Sequence, residues 1–161
     1  YALWTFPKPT VAQIAGHAIA GGAVLALACD ERVAADGSYG IGVVETAVGV
    51  PFPRGAFEIS RRALGAGAWE ALLAAEVHPP AKAQQLGFVH EVVAPENLEA
   101  AVMKRAARRA SYGAVYAQHK ALLLAPALAS LRSEAEEEKA RRHAALLSET
   151  TRAAVARAAR R

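Results

Sequence analysis

Two features of the sequence have the residue types and spacing for chemistry: a glycine turn at residues 20–23 and a lone carboxylate, Glu45. Ala20-Gly21-Gly22-Ala23 follows a β-rich run, Thr10-Val11-Ala12-Gln13-Ile14, and opens a short apolar helix that reaches Cys29-Asp30. Small residues there let a ligand come close to the backbone. The first amides of a helix have no intrahelical acceptor, and with the helix dipole they favour negative charge. A strand, a glycine turn and a bare helix start are the parts of an oxyanion hole. Glu45 sits among Val43, Val44, Ala47, Val48 and Val50. Poor solvation favours the protonated carboxyl and moves such a group toward the working range of a general base or acid. By composition alone, a surface glutamate at a strand end fits the same residues.

Other polar residues carry weaker signals. His17 stands beside the glycine turn and is expected to be structural. His78, His90, His119 and His143 are scattered without metal-ligand spacing, so no metal is expected. Gly21-Gly22 lacks the third glycine and the later acidic partner of a dinucleotide fingerprint. Lys120, Arg141 and Arg142 are more readily explained as solvated cations than as phosphate ligands.

The elements that must position these residues follow from patterning. Residues 10–14 and 32–35 read as strands and residues 21–28 as a buried helix. Tyr39 to Val44 is extended and broken by Gly40 and Gly42, as for backbone threading past a pocket. Pro51-Phe52-Pro53 breaks the chain before a helix over Arg54 to Leu64, with Phe57, Ile59, Ala63 and Leu64 as its apolar positions. Further helices are expected over 68–75 and 81–86, then a strand over 88–93 ending at Pro95. Glu96 to Ala110 is amphipathic, with Leu98, Ala101 and Val102 opposite Lys104, Arg105, Arg108 and Arg109. A helix over 114–124 is bounded by Gly113 and Pro126. A helical tract without glycine or proline runs from Ala127 to Arg161; its apolar stripe (Leu128, Leu131, Ala135, Leu146, Leu147) is too broken for a coiled coil. Strands alternating with helices, then helices alone, predict an α/β fold with an α-helical C-terminal region.

Composition bounds the possibilities. A chain of 161 residues that is 53% hydrophobic and 21% charged makes one globular domain, or most of one. Asp30 and Glu31 cut off the longest apolar run below spanning length, so no membrane association is expected. One cysteine, Cys29, excludes an internal disulfide and suits a reducing compartment. With no secretory pattern at the start, a cytoplasmic location is expected. The opening at Tyr1 rather than methionine leads us to expect a fragment or a processed product. The net charge of +4 is uneven, with −2 over residues 1–95 and +6 over residues 96–161. No aromatic residue follows Tyr116 to interleave with those basic residues, so a solvated helix face is expected and nucleic acid is not.

Three segments resemble the crotonase (enoyl-CoA hydratase/isomerase) superfamily in order and spacing. They are KPTVAQIAGHAIAGGAVLALACD from Lys8, YGIGVVETAVG from Tyr39 and AKAQQLGFVHEVV from Ala81. The match covers roughly residues 7–100. It implies a crotonase-like spiral ββα core, with residues 1–95 as the C-terminal part of that core. Residues 96–161 would be a helical region for oligomerisation and for covering the site. Gly21 falls on the middle glycine of the family triplet, whose amide serves as a thioester oxyanion donor. Gly22 falls on the last glycine, and Ala20 replaces the first. Glu45 falls on the family's general acid/base. Ala18, Val44, Pro51 and Phe52 are the accompanying substrate-binding candidates, and Asp30 matches a structural aspartate.

Two departures from the family pattern matter. Hydratases of the family carry another glutamate three residues after the middle glycine, where this chain has Val24. The family's A-x-x-[AG]-G-x-D segment, which supplies the second oxyanion donor, has no match in these residues. Hydration must activate water as well as deliver a proton, and paired carboxylates suit that work. A double-bond shift needs a single proton shuttle. Val24, with the string Ile41-Gly42-Val43-Val44-Glu45-Thr46-Ala47-Val48-Gly49, resembles mitochondrial-type Δ3,Δ2-enoyl-CoA isomerases most. The resemblance thus implies a coenzyme A thioester substrate, no separate cofactor, and trimers or hexamers. A hydratase and a non-catalytic acyl-CoA-binding protein are the alternatives.

Overall fold

The computed structural model describes residues 1–133 and 136–158. In chain order the elements are β1 (Val11–Ile14), β2 (Ala18–Ile19), α1 (Gly21–Leu27), β3 (Glu31–Ala35), β4 (Ile41–Gly42), α2 (Arg54–Leu64) and α3 (Ala68–Ala74). There follow α4 (Pro80–Gln85), β5 (Glu91–Val93), α5 (Leu98–Ala110), α6 (Gly113–Arg132), α7 (Glu136–Leu147) and α8 (Glu149–Ala158). Two small parallel sheets organise the molecule. One has the order β1-β3-β5, and the other pairs β2 with β4.

The central strand β3 is buried along its whole length, because helices cover both faces of its sheet. Alternation divides its side chains. Ala34 joins the main core with Ile14, Leu27, Ile41, Val43 and Phe88. Val33 and Ala35 point the other way, onto Leu98 and Val102 of α5. Glu31 shares that second face by the period of two. There Arg105 bonds both Glu31 and Glu91, and Arg109 bonds Glu31. Two of the arginines expected to be solvated on α5 are therefore tied to a buried carboxylate.

Arg32 takes the opposite face of β3. Its guanidinium is buried and donates to the carbonyls of Phe88 at 2.7 Å and Cys29 at 3.0 Å. Burial lowers its pKa to about 10. The Arg32 amide donates to His90 Nδ1 at 3.1 Å, which fixes β3 against the approach to β5.

Several boundaries differ from the sequence reading for physical reasons. The helix expected to stop before Pro126 runs through it as α6. Proline removes one amide, but the carbonyl four residues back belongs to Leu122, which is exposed to solvent. Meanwhile Leu124, Ala127 and Leu131 continue one stripe against the buried Trp4 and Ala28. The expected tract from Ala127 to Arg161 breaks into three helices. Ser148 separates α7 from α8 and caps α8 by accepting the Thr151 amide at 3.2 Å. Ala135 of the expected stripe and Arg161 lie outside the described residues. On α2, Phe57 is exposed while Glu58 is buried, bonded to Arg61 and Ser130.

Candidate active site

The β2–β4 pair joins the glycine turn to the carboxylate. Ala18 pairs with Ile41 and Ile19 with Gly42. The Ala20 amide then donates to the Gly42 carbonyl at 2.9 Å, and Glu45 follows three residues beyond. Ala18 is buried in this pair, whereas Gly21 and Gly22 are exposed at the start of α1. No side chain caps that helix and no acidic residue occupies its first turn. Ala20 holds the turn with φ 53° and ψ −123°, a conformation that alanine rarely adopts. Hydrogen bonds on both sides enforce it, since the Ala20 carbonyl also accepts the Val24 amide at 3.0 Å.

Glu45 lies just past β4, half-buried, with Oε2 accepting the Val44 amide at 2.9 Å. Residues 45–50 form a hydrogen-bonded turn. Gly49 donates its amide to Thr46 at 3.3 Å, Val50 donates to the Glu45 carbonyl at 2.9 Å, and Gly49 sits at φ 68°. Pro51 and Phe52 leave the turn half-buried, and Phe52 packs against the main core. Val24 is also half-buried against that core, on the helix that Gly21 begins.

The glycines flanking Ile41, Gly40 just before β4 and Gly42 within it, have a different purpose from the one their sequence pattern suggests. They admit the Glu76–Val77 stretch, by its backbone at Gly42 and by the Val77 side chain at Gly40, rather than a ligand. A Cβ at Gly42 would meet the Glu76 carbonyl oxygen at 2.1 Å, and one at Gly40 would meet Val77 Cγ1 at 2.1 Å. His78 then forms an antiparallel bridge with Ile41. His17 contributes here as a structural residue: its Nδ1 accepts the Gly40 amide at 3.0 Å.

The remaining candidates are also structural. Asp30 Oδ2 accepts from the Thr10 amide at 2.9 Å, the Thr10 hydroxyl at 3.0 Å and Lys120 Nζ at 2.8 Å. This bond set joins the start of β1, the end of α1 and α6. Lys120 is thereby buried rather than solvated or free for phosphate. Cys29 is half-buried just beyond α1, and burial pushes its thiol pKa up, which keeps it protonated and unreactive. A cavity of about 780 Å³ opens between Trp4, Cys29, Ile59, Tyr116, Lys120 and Leu124, and neither the Gly21 turn nor the Glu45 turn lines it. Among the described residues, no three His, Cys, Asp or Glu side chains converge as a metal site, and no helix is long and apolar enough to cross a membrane.

A family model described as enoyl-CoA hydratase/isomerase matches residues 1–158. The chain belongs to that family. Enoyl-CoA hydratase domain-containing protein 2, mitochondrial, of Bos taurus is 41% identical over 90 residues, which are 55% of this chain and 30% of that protein. Crotonyl-CoA hydratase of Syntrophomonas wolfei subsp. wolfei is 36% identical over 107 residues, 66% of this chain and 41% of that protein. The chain thus spans less than half the length of these curated relatives. Human mitochondrial delta3-delta2-enoyl-CoA isomerase superposes with a TM-score of 0.90 at 24% identity, over 99% of this chain and 63% of that one. That likeness establishes a crotonase-like α/β fold.

Proposed function

We propose that the protein carrying this chain shifts the double bond of a 3-enoyl-CoA thioester to the 2,3 position. Glu45 is the base that removes a proton from C2. The electron pair moves into a dienolate whose negative oxygen lies at the Gly21 amide. Glu45 then returns the proton to C4, so the acid/base group ends as it began. Loss of one oxyanion donor typically costs about 2.7–4 kcal/mol of transition-state stabilisation. The hole therefore matters as much as the base. Ala18, Ala20, Gly22, Val44, Pro51 and Phe52 would form the surrounding substrate contacts.

The observation that carries this reading is Val24. It stands on the same helix as Gly21, where the family's hydratases place their second glutamate, and it packs against the core. A single carboxylate suits a proton shuttle. Hydration is the second reading, favoured by the hydratase names of the two curated relatives. Comparing isomerisation of 3-enoyl-CoA with water addition to 2-enoyl-CoA on one preparation separates the two. Isomerisation is expected to be the faster by at least tenfold. Faster hydration would overturn the proposal.

A further inference from the structure

The turn that carries Glu45 is tied on both sides by threonine hydroxyls from outside its own hydrogen bonding. Thr46, exposed, donates Oγ1 to the Leu72 carbonyl of α3 at 2.8 Å. Thr151 of α8, buried, reaches the Gly49 carbonyl at 3.3 Å. Its single hydroxyl proton is shared with the Ala145 carbonyl of α7 at 2.9 Å, and the same oxygen accepts the Ser148 hydroxyl at 3.1 Å. Thr151 therefore joins the α7–α8 corner to the far end of the Glu45 turn. A second anchor holds the same hairpin farther along. Arg54, at the start of α2, bonds Glu138 of α7 at 3.2 Å and Ser130 of α6 at 3.0 Å. The segment from Gly49 to Arg54 is thus held at both ends by the C-terminal helices, and its Glu45 side is held by α3.

We infer that Thr46 and Thr151 are positioning residues that fix the Glu45 turn between α3 and the C-terminal hairpin. The inference rests on Glu45 being the acid/base group, as proposed above. Neither threonine touches the carboxylate. Each holds a neighbouring stretch of the turn, so the carboxylate direction depends on a helix more than 100 residues away in sequence. A half-buried acid whose turn slides loses alignment with the substrate carbon, and small misplacements cost rate more than binding.

Hydrogen exchange at the Val48, Gly49 and Val50 amides reads this directly, with Val33 to Ala35 of β3 as the internal reference. Thr151→Val and Thr46→Val are each expected to speed exchange in the turn about two- to tenfold, the worth of one hydrogen bond. Exchange in β3 stays unchanged, and Thr151→Ser and Thr46→Ser restore protection. Thr46 is exposed, so its valine variant decides alone where Thr151→Val does not fold. Turn amides unaffected by the valine variants, or acceleration that reaches β3 equally, overturn the inference. On 3-enoyl-CoA, kcat should fall in the valine variants while KM stays within twofold. A wild-type protein inactive on that substrate with the exchange pattern intact removes the isomerase reading and leaves the positioning role standing.

Discussion

Ala20 occupies a backbone conformation with φ 53° at the point where the chain turns from β2 into α1. Such strain costs of order 1–3 kcal/mol and persists only where surrounding bonds enforce it. Ala20→Gly removes the Cβ conflict at some cost in unfolded-state entropy. The net gain expected is about 1 kcal/mol in a denaturant titration. An unchanged or lower midpoint would show that the turn is not strained. At this scale the sequence singled out the turn at 20–23 and Glu45, and the bond from the Ala20 amide to the Gly42 carbonyl joins the two segments. A carboxylate among valines reads equally as a surface glutamate at a strand end, and it is the family pattern around it that set Glu45 apart. Thr151 gave no such signal: its hydroxyl matters through Gly49, more than 100 residues away, and no local pattern encodes that contact. Glu58 on α2 was hidden for the same reason, since Ser130 and Arg61 make its burial tolerable.

Elements carry most of the pH dependence. His90 Nδ1 accepts the Arg32 amide, and Nε2 lies 3.3 Å from the same residue's guanidinium. Burial and the Arg32 charge lower the His90 pKa from 6.5. Below pH 6.5 the unfolded chain binds a proton that the folded one resists, so stability falls as pH drops through that window. Glu31 adds a second loss at lower pH. Burial opposes its ionisation, but the bonds from Arg105 and Arg109 outweigh it and hold its pKa below 4.5. That stabilisation is present above pH 4.5 and is lost as pH falls through the folded value. His90→Asn keeps an acceptor for the Arg32 amide without the titration. It is expected to flatten the melting temperature as pH falls below 6.5 while leaving the later decline below pH 4.5. An identical profile in the variant would contradict the role of His90. The strands and helices behind this network were mostly readable from periodicity. The sequence misled at Pro126, where burial of Leu124, Ala127 and Leu131 against Trp4 overrides the breaker. Its opposite error came at Ser148, which divides two helices with neither glycine nor proline.

At the scale of the whole molecule, the two sheets have separate tasks. The β1-β3-β5 sheet builds the core between α1 and α5, and the β2–β4 pair brings the Gly21 turn beside the Glu45 turn. The C-terminal helices bind both parts, through Lys120 to Asp30 at one end and Thr151 to Gly49 at the other. Within the family, the proposed isomerase reading rests on Val24, which leaves Glu45 as the single carboxylate of the proposed site. The direct measurement is the rate of 3-enoyl-CoA to 2-enoyl-CoA conversion by the protein carrying this chain, before and after Glu45→Gln. The glutamine variant keeps the shape and loses the base, so turnover is expected to fall about 10²–10⁴-fold with the melting temperature within a few degrees. Turnover at the wild-type rate in that variant would contradict Glu45 as the proton shuttle.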